Sequence, residues 1–190
     1  EIYFRSTFRY ADLRRANLDG AFLDKVLLEN SNLDVVNLNG ASLKFTNLRG
    51  STIRSAKLNG TNFSSADLTW AKLRNTDCKD CNLKNTILLF ADLSGGDYSN
   101  SNLENVDLRS TDLTMTAFYY SNLKNADLSD SKLIFTRFGN TDLTGVNLER
   151  AIVNRLDWIE NLEIDSCIGS QGIKENYILD TIPEPNEIFG

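Results

Sequence analysis

A period of five constrains this chain more than any other feature. In the stretch ADLSGGDYSNSNLENVDLRSTDLTM, residues 91–115, an apolar residue falls at Leu93, Tyr98, Leu103, Leu108 and Leu113. An α-helix repeats near 3.6 residues and a strand at 2, so neither produces a strict five. Written in fives from Glu1, the sequence holds one frame without insertion through Arg155. All thirty-one central positions are apolar, from Tyr3, Phe8 and Leu13 to Leu148 and Val153, and only Cys78 among them is neither aliphatic nor aromatic. Two residues earlier the position is small almost throughout, as at Ala11, Ala16, Ala21, Ser31, Ala41, Thr46, Ala66 and Ala126. Asp or Asn mostly stands between the two.

These positions dictate a local geometry. Residues two apart point to the same side of an extended segment, so the large and the small residue face one interior. Asn, Asp, Ser and Gly in the remaining positions favour a bend. Alternating extended and bent segments close into a coil, and coils stack through parallel-strand hydrogen bonds at roughly 4.8 Å. The units ADLRR, ANLDG, TNLRG, ADLTW and ADLSD resemble the pentapeptide repeat family, whose consensus is A(D/N)LXX. The resemblance covers residues 1–155 and implies an all-β fold, a right-handed quadrilateral parallel β-helix of about eight coils with four pentapeptides in each.

Residues 20 apart then stack. One interior ladder is predicted through Leu13, Leu33, Ile53, Leu73, Leu93, Leu113, Leu133 and Val153. A second runs Leu18, Leu38, Leu58, Cys78, Tyr98, Phe118 and Phe138, and its aromatic end predicts a ring stack in which the Tyr98 hydroxyl needs a partner.

The frame ends after Arg155, and residues 156–190 read as a C-terminal cap of the same domain over the strand edges of the last coil. Trp158, Ile159 and Leu162, with Leu156 nearby, predict a short amphipathic helix; SQGIKENYI predicts a second helical turn and IPEPNEIFG an extended outer segment. The apolar first coil, with Ile2, Tyr3, Phe4, Phe8 and Tyr10, is expected to be covered by preceding residues or to stack on another chain. A homodimer through that coil or through the cap is one expectation. Up to Arg155 there are 19 basic and 18 acidic residues; from Leu156 onward one basic residue faces eight acidic ones. No apolar run approaches the roughly 18 residues of a membrane span, so a soluble chain without a membrane partner is expected. The compartment stays open between cytoplasm and, for a chain whose leader has been removed, periplasm or thylakoid lumen.

The chemistry of sites is sparse. There is no histidine, hence no imidazole base, no serine triad and no His-based zinc site. Cys78 and Cys81 form a C-x-x-C, but the frame puts them at a large and a small inward position, predicting two buried thiols that act as small hydrophobes. Asp92 over Asp112, Asp77 over Asp97, and Asp107 over Asp127 read as bend hydrogen-bonders, because no such pair supplies the six or more oxygens calcium takes. SGGD lacks the helix and lysine of a phosphate loop. No enzymatic activity, cofactor or metal is expected.

What remains is surface. Outward positions are mostly polar, and two apolar groups interrupt them: Trp70, Ile87, Leu89 and Phe90, then Met115, Tyr119, Tyr120, Ile134 and Phe135. Trp70 lies one coil before Phe90, and Met115 stacks on Phe135. Contiguous exposed apolar residues mark a candidate surface for a protein partner. Some members of the resembled family mimic duplex DNA, bind gyrase and protect it from quinolones, which gives an alternative reading. That role needs an acidic groove, whereas Arg5, Arg9, Arg14, Arg15, Arg49, Arg54 and Arg74 crowd the first half of a near-neutral body. Direct nucleic-acid binding is not expected either, since no strongly basic segment is present.

Overall fold

The computed structural model describes residues 6–154 and the backbone of residues 177–180. Its second-position residues pair in parallel with residues 20 further along: Thr7↔Leu27, Asp12↔Asn32, Asn17↔Asn37 and Phe22↔Ser42. The same four walls repeat to Lys132↔Ile152. One coil is therefore four pentapeptides, and the coils stack in register as a parallel β-solenoid.

Backbone hydrogen bonds show why the unit is five residues long. Along a wall, the Leu33 N–H donates to the Thr52 carbonyl at 2.7 Å, and the Asn32 N–H donates back to Ala11 at 2.9 Å. At the corner the Ala11 N–H donates to the Phe8 carbonyl at 3.0 Å, closing a β-turn. The third residue of every such turn, each fifth residue from Tyr10 to Arg150, has a positive φ between 53° and 73°. Three residues make the wall and two make the corner.

First and third positions fill the interior, and every central residue from Leu28 to Val153 is buried. Each large aliphatic side chain so buried contributes about 1.5–3 kcal/mol. Where the small inward residue is Ser or Thr, its hydroxyl donates to a carbonyl: Ser31 to Leu28 at 2.7 Å, Thr61 to Leu38 at 2.7 Å, Thr86 to Phe63 at 2.8 Å. The inward hydroxyls are thus satisfied, as low-dielectric surroundings require.

The predicted ring stack is present. Tyr98 and Phe118 have ring centroids 5.7 Å apart, and Phe118 and Phe138 are 5.5 Å apart and nearly parallel. Thr76 Oγ1 donates to the Leu73 carbonyl at 2.9 Å and so accepts from the Tyr98 hydroxyl 3.0 Å away. The adjacent glycines divide the work of admitting this ring. Gly95 takes the left-handed corner at φ 70°, while a Cβ on Gly96 would lie 2.7 Å from the Tyr98 ring. Gly96 is the small inward residue reduced to nothing because its neighbour is the largest buried side chain.

Two expectations are corrected. Cys78 and Cys81 are buried as predicted, yet they form a disulfide rather than two thiols. Their Cα atoms face each other across one corner at 5.5 Å, within the range a disulfide spans. The Cys81 sulfur lies 3.0 Å from the Leu58 carbonyl, in the slot where neighbouring Thr hydroxyls donate, but as a disulfide it brings no proton. The tail also departs from its reading. Of SQGIKENYI, expected to add a helical turn, Tyr177 and Ile178 belong instead to strand β2 (Tyr177–Asp180), which pairs in parallel with β1 (Ala151–Asn154) and adds one wall to the stack, while residues 170–176 lie outside the described residues. Strand pairing satisfies the open edge of the last coil more completely than a helix laid across it. The amphipathic helix expected from Leu156 to Leu162 and the IPEPNEIFG segment lie outside the described residues.

Candidate interaction surface

Outward side chains leave the coil from positions two, four and five, and they differ sharply in what they expose. Position-two Asp and Asn residues cap the bend: Asp92 Oδ1 accepts from the Ser94 N–H at 3.1 Å and its hydroxyl at 2.6 Å, and Asp97 and Asp127 do the same for Ser99 and Ser129. The stacked acid pairs are also bridged by cations. Lys79 lies 3.3 Å from Asp77 and 3.1 Å from Asp97, and Arg109 lies 2.7 Å from Asp107 and 4.0 Å from Asp127. Asp92 and Asp112 are each approached by their own cation, Arg74 at 3.7 Å and Lys132 at 3.8 Å. Among the described residues no group of three or more Cys, Asp or Glu is placed to hold a metal ion.

These cations also set the charge states of the acids. The Arg14 guanidinium and its N–H hold Asp12 down at about 2. Burial pushes Asp34 up, but the Arg54 guanidinium and N–H more than offset it, so its carboxyl sits below the usual range.

Position five is different in kind. The left-handed corner suits Gly and Asn, and the chain often supplies them, as at Gly20, Asn30, Gly50, Asn75, Asn100 and Asn125. Eight corners instead carry a bulky apolar residue: Tyr10, Val35, Phe45, Trp70, Phe90, Met115, Tyr120 and Phe135. Holding a residue with a Cβ there costs roughly 1–2 kcal/mol, and β-branched Val35 is the most aberrant of the eight. None recovers that cost by burial, since all eight are exposed, from 42% at Phe90 to 76% at Tyr10.

The sequence-predicted residues distribute as follows. Trp70 and Phe90 stack face to face with ring centroids 4.4 Å apart and an 18° interplanar angle, both exposed. Ile87 is exposed beside them and Leu89 is half-buried. Met115, Tyr120 and Phe135 are exposed, whereas Tyr119 is half-buried. Ile134, expected to be outward, is buried at 7%. Thr69, Ser99 and Ser129 are likewise buried at the fourth position, whereas Arg14, Arg49, Arg54 and Arg74 at that position are exposed. Sequence reasoning missed Phe22, Val35 and Phe45, which are exposed in the first three coils. Asking which residues occupy the fifth position would have found two of them; Phe22, at 91% exposure on a wall, breaks the Asp/Asn preference of position two.

A four-walled parallel solenoid with a five-residue unit defines a class of protein, and comparison places the chain within it. The pentapeptide repeat model matches eight copies across residues 5–34, 36–64, 61–97, 90–119 and 121–155. The chain belongs to the pentapeptide repeat family. Among solved structures it is similar to HetL from the cyanobacterium Nostoc sp. strain PCC 7120, a pentapeptide repeat protein involved in heterocyst differentiation regulation, at 25% identity and a TM-score of 0.58 over 79% of this chain and 78% of that one. QnrB1, a plasmid-mediated fluoroquinolone resistance protein, matches at 15% identity and a TM-score of 0.49 over 93% and 91% of the two chains. A pentapeptide repeat protein from the Arabidopsis thaliana thylakoid lumen matches at 24% identity and a TM-score of 0.38, over 54% and 65%. No curated relative matches the chain. No helix among the described residues is long and apolar enough to cross a membrane.

Proposed function

We propose that this chain is a non-catalytic protein-interaction module, a right-handed quadrilateral rod that presents apolar corners to a protein partner. One observation carries the reading: bulky apolar residues occupy strained left-handed corners and stay exposed. Backbone strain that no burial repays is a feature of functional sites. The principal contact is Trp70 with Phe90, flanked by Ile87 and Leu89; the second is Met115 with Phe135, next to Tyr119 and Tyr120. Large rigid aromatics of this kind dominate the energetics of protein interfaces. A regulatory part such as that stated for HetL is one a binding rod can perform without catalytic groups.

The test is affinity capture from an extract of the source cells with the parent chain and with Trp70→Asp/Phe90→Asp, after circular dichroism has shown that both are folded. Proteins retained by the parent and lost by the variant support the reading. The same proteins recovered with both would remove this corner as the recognition surface.

A further inference from the structure

The next corner around the coil has a different character. Its fourth and fifth positions carry Arg14 and Arg15, Asp34 and Val35, Arg54, and Arg74 in successive coils. Two adjoining recesses, of about 510 and 370 Å³, run along it; the first is lined by Asp12, Arg14, Arg15, Asp34 and Val35, the second by Asp34, Val35, Arg54 and Arg74 with Ser55 and Asn75. Arg14 is taken by Asp12 at 2.6 Å and Arg54 by Asp34 at 2.6 Å. Arg74 reaches Asp92 only at 3.7 Å, and Arg15 is exposed with no carboxylate against it among the described residues. Four guanidiniums thus face Asp12 and Asp34, with Asp92 a third carboxylate at the edge of Arg74, in a groove with one exposed apolar side chain, Val35.

The opposite charge lies at the other end of the molecule. Residues 1–75 hold 11 basic and 7 acidic residues, so residues 76–190 hold the remaining 9 basic and 19 acidic ones. Within the described coils, residues 6–75 hold 10 basic and 6 acidic residues and residues 76–154 hold 7 basic and 11 acidic ones, so net charges of +4 and −4 make the rod a lengthwise dipole; in the sequence the acidity is densest from Leu156 onward. In the β1·β2 register Asp180 pairs with Asn154, which tops the same column of fourth positions as Arg14, Arg54 and Arg74. From Arg14 to Asn154 is seven coil steps, about 34 Å at the usual strand spacing. Within one molecule β2 and the Arg14/Arg15 end of the groove therefore stand at opposite ends of one corner.

We propose that the arginine corner of one molecule binds the acidic C-terminal segment of a second copy, head to tail. The guanidiniums of Arg15 and Arg74 receive carboxylates such as Glu184 and Glu187, and the sequence around those, IPEPNEIFG, supplies apolar contact for Val35. Arginine is suited to the task, because its planar fork pairs with carboxylates in two-bonded geometry. The contact joins unlike surfaces, so it builds a chain or a ring rather than a two-fold dimer. It does not depend on the Trp70/Phe90 corner being a recognition site.

Sedimentation velocity on the full chain tests it, at low salt (about 20 mM) and at high salt (about 500 mM), where exposed charges are screened within a few ångströms. The weight-average mass is expected to rise above the 21.3 kDa monomer with concentration at low salt and to return to it at high salt. Arg15→Glu/Arg74→Glu and, separately, Glu184→Lys/Glu187→Lys are each expected to weaken association at least about tenfold, since like charges then face each other across the contact. An equimolar mixture of the two variants should associate again, because each supplies the charge that the other needs. A parent that stays monomeric at low salt, association insensitive to salt or to both variants, or a mixture that fails to re-associate would each overturn the proposal. An unpaired strand edge would give the salt-insensitive result.

Discussion

Two aromatic stacks are built by the same 20-residue register, one inside the coil and one outside it. Tyr98, Phe118 and Phe138 stack at 5.5–5.7 Å with at most 3% exposure. Trp70 and Phe90 stack at 4.4 Å with about half their surface in solvent. The inner rings sit at central positions, where burial is the reason for being large. The outer rings sit at corners where the backbone favours Gly or Asn, so their size opposes the local conformation. Stacking is worth about 0.5–1.5 kcal/mol beyond burial in either place. Inside, it adds to a large transfer term; outside, it offsets only part of the strain at two corners. A repeat solenoid can therefore change its corners at little cost to its stability, while its core admits few exceptions.

Breaking the inner stack should have the largest effect. Phe118→Ala leaves a cavity between two rings and is expected to lower unfolding free energy by about 3–5 kcal/mol, read from urea denaturation. Overpacking the same place comes next. Gly96→Ala pushes a methyl against the Tyr98 ring and the Leu93 carbonyl and should cost about 1–3 kcal/mol. Tyr98→Phe removes only a buried hydroxyl whose acceptor, Thr76, keeps its own bond to Leu73. It should cost about 1 kcal/mol.

Acid sharpens the comparison from the outside. Asp12, Glu29 and Asp34 have folded-state values below the ordinary carboxylate range, held there chiefly by arginines on the surface. The stability such groups contribute is present above the unfolded value of about 4 and is lost as pH falls through the folded values, Asp12 at about 2. Tm should be nearly flat from neutrality to about pH 4.5 and decline below it. A Tm that rises on acidification would show the opposite linkage.

How much of this was legible in the sequence follows from what the five-residue frame encodes. The frame assigns direction, so the ladders through Leu13 and Leu18 and the Tyr98–Phe118–Phe138 stack are legible in the sequence itself. Direction alone does not give distance, and the Cys78–Cys81 disulfide depends on a 5.5 Å Cα separation across one corner. Nor does it separate two outward positions that behave differently: Ile134 is buried while Phe135 beside it is exposed. The column of Arg14, Arg54 and Arg74 follows from the same 20-residue stacking, but which of them a carboxylate takes does not: Arg14 is paired with Asp12 and Arg54 with Asp34, whereas Arg74 stands 3.7 Å from Asp92. Strand β2 falls outside the frame altogether, where a pattern of Trp158, Ile159 and Leu162 suggested helix and said nothing of Tyr177–Asp180.

The measurement that tests the central claim most directly is the urea unfolding free energy of Trp70→Asn/Phe90→Asn. If the outer stack serves recognition, relief of corner strain offsets the lost ring contact, and the variant should lie within about 1 kcal/mol of the parent. A loss of about 3 kcal/mol or more, comparable with Phe118→Ala, would make the outer rings part of what holds the coil together and contradict the account.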